Sequence, residues 1–160
     1  IRTYKINAVI SNCCNNYGPY QYPEKLIPLM LLKALNAETL PVYGDGSNIR
    51  DWIHVEDHCR ALKVVLEHGV SGRVYNIGGN CERDNLTVVK RILEVVGKPT
   101  SLIQFVEDRK GHDWRYAIDN TRIQQELDWK PSHTFEDGLR ATLEWYMQNE
   151  LWWKPLLEES

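Results

Sequence analysis

Short runs of β-branched and apolar residues alternate with longer amphipathic stretches along nearly all of these 160 residues. That alternation admits few folds, because strand, helix and strand in succession is the pattern of a mainly parallel sheet with helical cover. Ile6 to Cys13 runs almost unbroken in apolar and small residues, as a strand buried on both faces does, and Val74 to Ile77 and Leu102 to Val106 read as two more strands. Pro23-Glu24 opens a helix whose apolar positions Leu26, Ile27, Met30, Leu31, Ala34 and Leu35 follow helical spacing. Asp57 to His68 is a second helix, ended by Gly69, and Thr87 to Val96 a third, stopped by Gly97 with Pro99 beyond. Asn120 to Leu127 and Thr134 to Met147 are the last two, the latter with Thr134 as cap and Asp137 three residues on. Leu40 to Tyr43 and Asp51 to Val55 read as short strands around the Gly44 to Asn48 turn, forming a small antiparallel or mixed element. The expected class is α/β.

Composition narrows the function. Hydrophobic residues make up 42% of the chain, enough for a real core. The net charge is -3 with the two signs interspersed, so no footprint for nucleic acid or an anionic membrane stands out. The longest apolar run, Leu26 to Leu32, is interrupted by Pro28 and is too short to span a bilayer. No signal-peptide pattern occurs, and Ile1-Arg2-Thr3-Tyr4-Lys5 has no helix start or turn signal ahead of it, so the chain is expected to be part of a larger protein. Cys13, Cys14, Cys59 and Cys81 lack Cys-x-x-Cys spacing and are expected as reduced thiols in the cytoplasm. The aromatic tail from Leu151 to Leu157 is expected to dock rather than hang free.

Few residues announce chemistry. Asn15 and Asn16 stand where a buried strand ends, the position at which α/β sheets bind ligands, though asparagines there equally serve turn chemistry. Arg50 follows a turn, and Arg109 follows a strand and precedes Gly111 and His112; two arginines at loop mouths suit a diphosphate clamp and are also ordinary surface charges. Tyr43 suits stacking on a base or packing in a core. His54 and His58 have metal-pair spacing only if both lie on one helix, whereas His54 falls in a strand, so no metal site is expected. Gly78-Gly79-Asn80 lacks the Gly-x-Gly-x-x-Gly pattern and downstream acid of a dinucleotide site. Neither a Gly-x-Ser-x-Gly nor a suitably placed Tyr-x-x-x-Lys is present, and no paired carboxylates announce a glycosidase.

Asn12 to Pro28 reads Asn-Cys-Cys-Asn-Asn-Tyr-Gly-Pro-Tyr-Gln-Tyr-Pro-Glu-Lys-Leu-Ile-Pro, and there the sequence resembles the dTDP-glucose 4,6-dehydratases, within the extended short-chain dehydrogenase/reductases. The resemblance continues through Pro41 to Gly46, Ile49-Arg50-Asp51-Trp52, Tyr75 to Gly79, Asp108 to Asp113 and Gly138 to Tyr146, in the family's order. It implies the carboxyl-terminal half of such an enzyme: late strands and helices of a Rossmann-like fold plus a small α/β substrate-binding domain, with residues 1–20 and about 73–80 feeding the Rossmann sheet. Full-length enzymes of this kind use bound NAD to convert dTDP-glucose to dTDP-4-keto-6-deoxyglucose and water, and are commonly homodimers. The glycine-rich turn, the Tyr-x-x-x-Lys base and the elimination acid and base belong to the other half. No catalytic residue is therefore expected in this chain, which alone should be inactive and retain no NAD.

What the resemblance carries over is a substrate grip. It implies that Asn15 meets the substrate and Asn16 the nicotinamide end of NAD, that Lys25, Leu26, Pro41 and Tyr43 surround the thymidine, and that Arg50, Asn85, Asp108, Arg109 and His112 hold the diphosphate and its neighbours. Lys110 departs from the usual proline, and Cys14 from a commoner serine. Related enzymes acting on UDP-sugars, and a stand-alone sugar-nucleotide module, are the alternatives.

Overall fold

The computed structural model describes residues 1–158. The α/β expectation holds. Among the described residues are eight strands: β1 (Ile10–Cys13), β2 (Asn15–Tyr17), β3 (Leu40–Tyr43), β4 (Ile49–His54), β5 (Val74–Ile77), β6 (Glu82–Asp84), β7 (Ile103–Val106) and β8 (Arg115–Tyr116). Six helices accompany them: α1 (Leu26–Leu35), α2 (Val55–His68), α3 (Asn85–Val96), α4 (Thr121–Leu127), α5 (Phe135–Gln148) and α6 (Glu150–Glu158). No helix among the described residues is long and apolar enough to cross a membrane.

Pairing is mostly parallel. β1 pairs with β5, β3 with β7, and β4 with β2 and β8, all parallel, while β4 and β6 are antiparallel. Strand β4 is the pivot, because successive side chains on a strand face opposite ways. Trp52 enters a core shared by α1, α3 and α5, with Ile27, Leu31, Val89 and Leu139, whereas Ile53 enters a second core with Ala61, Val65, Tyr75, Ile77 and Ile123. A third, small cluster of Leu32, Tyr146 and Trp153 seats α6, so the aromatic tail does dock, as a helix that periodicity did not reveal.

Four expectations are corrected. The first strand begins at Ile10 rather than Ile6 and is not buried on both faces: Ile10 is 57% exposed, since β1 hydrogen-bonds only to β5 and is packed by α2. Asn15 to Tyr17 is a strand and not a turn, held in register against Trp52, Ile53 and His54. Helix α1 starts two residues after Glu24, because a turn closes from Lys25 N–H to the Tyr22 carbonyl; Pro28 then falls in the first turn, where its missing N–H costs nothing. Lastly, β3 and β4 do not pair with each other. Gly44 and Gly46 take positive φ of 58° and 77° and turn the chain out of plane, so β3 finds β7 some sixty residues on.

The helix ends follow local chemistry. Asp84 caps α3 by accepting from Thr87 N–H at 2.7 Å, and Gly97 ends it in the left-handed conformation. Thr134 caps α5, its hydroxyl accepting from Asp137 N–H at 3.1 Å and donating to Asp137 Oδ2 at 2.7 Å.

Candidate functional site

The start of α1, the end of β3, the middle of β4 and the loop after β7 surround a cavity of about 410 Å³. Its wall contains Asn15, Lys25, Leu26, Pro41, Tyr43, Arg50, Asn85, Arg109 and His112. These come from six separate stretches of sequence, and the parallel pairing of β3 with β7 and β2 with β4 is what gathers them. Glu24, Leu29, Met30 and Trp52 complete the wall and were not foreseen. Their signal was there: Leu29 and Met30 follow Leu26 by three and four residues on one helix, and Trp52 follows Arg50 by two on one strand.

The wall offers two kinds of chemistry. Leu26, Leu29, Met30, Pro41 and Trp52 offer an apolar surface, fit for a planar ring. Lys25, Arg50 and Arg109 offer positive charge against the single carboxylate of Glu24, which lies 2.6 Å from Lys25 Nζ. Arg50 is anchored, donating to the Ile49 carbonyl at 2.7 Å and the Asp113 carbonyl at 2.9 Å, which ties β4 to the loop after β7. The Arg109 guanidinium lies 4.9 Å from the Tyr43 ring centroid and 3.4 Å from His112 Nε2.

Asp108 stands outside the wall and organises it. Its carboxylate accepts from Arg109 N–H and faces His112 Nδ1, each at 2.8 Å, and the His112 hydrogen bond above all holds its pKa below the usual carboxylate range. Asp108 therefore fixes His112 and Arg109 while remaining charged.

Of the residues expected to grip the substrate, Asp108 alone is outside the wall, and Asn16, expected at the nicotinamide, is outside it too. As the neighbour of Asn15 on one strand it faces the other way, and it does not line the cavity. Its amide donates to the Cys14 carbonyl at 3.0 Å and meets His58 Nδ1 at 2.8 Å. His54 and His58 do not converge: His58 serves Asn16, and His54 stacks on His133. Gly78 and Gly79 serve packing, because a Cβ at Gly79 would overlap the Trp52 carbonyl oxygen; buried Asp51 accepts from Gly79 N–H at 3.1 Å and Cys81 N–H at 2.8 Å to hold that turn.

Comparisons with known proteins agree with one another. The profile of the family described as GDP-mannose 4,6 dehydratase matches residues 1–142. A dTDP-glucose 4,6-dehydratase of Neisseria meningitidis serogroup B is 51% identical, the match covering 100% of this chain and 48% of the relative. The solved dTDP-glucose 4,6-dehydratase of Streptomyces venezuelae with NAD and TYD bound superposes with a TM-score of 0.93 at 48% identity, over 97% of this chain and 48% of that one. A solved UDP-glucose 4-epimerase of Thermotoga maritima with UDP-glucose gives 0.88 at 27% identity, over 93% and 48%. The chain thus spans about half the length of the curated relatives it matches.

Proposed function

Because this chain belongs to the GDP-mannose 4,6 dehydratase family, we propose that it is the substrate-gripping half of a dTDP-glucose 4,6-dehydratase. One observation carries the reading: nine residues expected to grip a sugar nucleotide surround one cavity whose wall offers both apolar and cationic side chains. The apolar side chains suit thymine and Arg50 and Arg109 suit the diphosphate, with His112 and Asn85 at the same wall. Asn15, at the same wall, suits a hydrogen bond to the sugar.

In the whole enzyme NAD, when bound, takes up and returns the hydride. The residues here fit it only at one edge, since no dinucleotide fingerprint occurs and the Asn16 amide is already committed to His58 and Cys14. This chain's part is to bind and orient. The two-stranded β1–β5 sheet, with the apolar side chain of Ile10 exposed, suits the edge of a larger sheet completed by an NAD-binding half.

Calorimetric titration of the purified chain with dTDP tests the grip. One saturable site is expected, with UDP weaker and no dehydration of dTDP-glucose by the chain alone. A folded chain that does not bind dTDP refutes the assignment, tighter binding of UDP moves it to the epimerase side of the group, and turnover by the chain itself refutes the division of labour.

A further inference from the structure

We propose that His54, Glu56 and His133 form a binding site for a divalent cation with the ligand preferences of zinc, outside the cavity described above. Each offers one donor atom, and the three donors lie within 4.8 Å of one another. His133 Nε2 and Glu56 Oε2 are already 3.4 Å apart. Two donors on one tetrahedral zinc, at bonds of about 2.0 to 2.2 Å, stand roughly 3.3 to 3.6 Å apart, so this edge is close to formed.

The environment prepares His133 for that role. Asp57, buried at the start of α2, accepts from Ser132 N–H at 3.1 Å and His133 N–H at 3.0 Å and thereby fastens the loop before α5 to α2. Its Oδ2 also lies 3.1 Å from His133 Nδ1, the carboxylate partner that steers a ligating imidazole and leaves Nε2 free to coordinate. Glu56 and Asp57, both in the first turn of α2, bring negative charge to a helix end whose dipole alone repels a cation.

His54 supplies the independent sign. It is only 3% exposed, yet neither ring nitrogen has a hydrogen-bond partner among the described residues. A buried polar ring left unpaired costs free energy, and coordination relieves it at one nitrogen. Burial and the neighbouring His133 both lower the pKa of His54, leaving the neutral imidazole a metal needs. The ring now stacks on His133 with centroids 4.2 Å apart and planes 30° apart. Closing the triad takes a rotation about the broad χ2 torsion of His54, and Glu56, with its side chain 65% exposed, is free to follow. Two imidazoles, one carboxylate and a position open to solvent are a zinc donor set. The bland alternative is a neutral core histidine packed between Tyr17 and His133, with no affinity for metal.

The test uses the 160-residue chain freed of metal by a chelator, with zinc chloride titrated against a chromophoric chelator and cobalt(II) as a spectroscopic stand-in. One ion per chain is expected, with visible cobalt bands of four-coordinate nitrogen and oxygen ligation and no near-ultraviolet thiolate band. Zinc should raise the melting temperature by mass action. Glu56→Gln, a surface change that leaves the core intact, should weaken binding at least about tenfold, or 1.4 kcal/mol, and remove most of the thermal shift. His54→Phe should abolish it. Absence of binding by the parent, a thiolate band, or parent-like affinity in a folded Glu56→Gln chain overturns the proposal.

Discussion

Replacing Arg50 or Arg109 by alanine probes the cationic residues of the cavity most directly, and the structure predicts unequal consequences. Arg50 spends two donors on the Ile49 and Asp113 carbonyls, at 2.7 and 2.9 Å, and keeps three of its five N–H groups for a ligand. It is thus held in place before binding. Losing a hydrogen bond from a charged donor costs about 1.5 to 3 kcal/mol, roughly a tenfold to more than hundredfold loss in affinity for dTDP. Arg50→Ala also releases the Asp113 carbonyl from one of its two donors, though Asn48 Nδ2 still reaches it at 3.2 Å, so a modest fall in melting temperature should accompany the lost binding. The Arg109 guanidinium rests on Tyr43 and His112 and is exposed, so its removal should fall at the low end of that range and leave stability nearly unchanged. Lysine at position 50 should rescue only part of the affinity, because a point charge cannot both tie the loop and reach the ligand in a planar fork. Calorimetric titration of dTDP into each variant, with circular dichroism melts alongside, reads these outcomes. If both alanine variants bind within about 0.5 kcal/mol of the parent, they are ordinary surface arginines and the clamp is wrong.

Three further outcomes follow from the packing. Gly79→Ala drives a methyl group into the Trp52 carbonyl, backbone that cannot swing aside, so it should destabilise by about 2 kcal/mol or more in urea unfolding; a neutral result would show that the turn relaxes freely. Thr134→Ala removes the cap of α5 and should cost about 1 kcal/mol, whereas Thr134→Ser should be near neutral. Cys59 is exposed, while burial, first of all, raises the thiol pKa of Cys14 and of Cys81, so a maleimide at slightly alkaline pH should label Cys59 first and Cys14 last by peptide mapping.

Much of the helical frame was legible in the chain itself, because its signals act within one turn. The Thr134 cap, the Gly97 stop and the amphipathic stripes of α1 and α5 depend on neighbours three or four residues away, and those neighbours are written side by side. The cavity residues were legible too, through motif order and the resemblance it carried. Strand partnership was not. Leu40 to Tyr43 looks as ready to pair with its neighbour across the Gly44 turn as with Ile103 to Val106, and only the packing of α1 and α3 against β3, with the out-of-plane turn, decides for the distant partner. Asn15 and Asn16 read alike in sequence, yet the two faces of β2 send one to the cavity and the other to His58. His133 lies 79 positions after His54, and no spacing rule joins them; the Asp57 hydrogen bonds that fold the loop back onto α2 do. Local chemistry determines elements and their ends, whereas which side chains share a site depends on contacts between segments far apart in the chain, and these exist only once the sheets have paired.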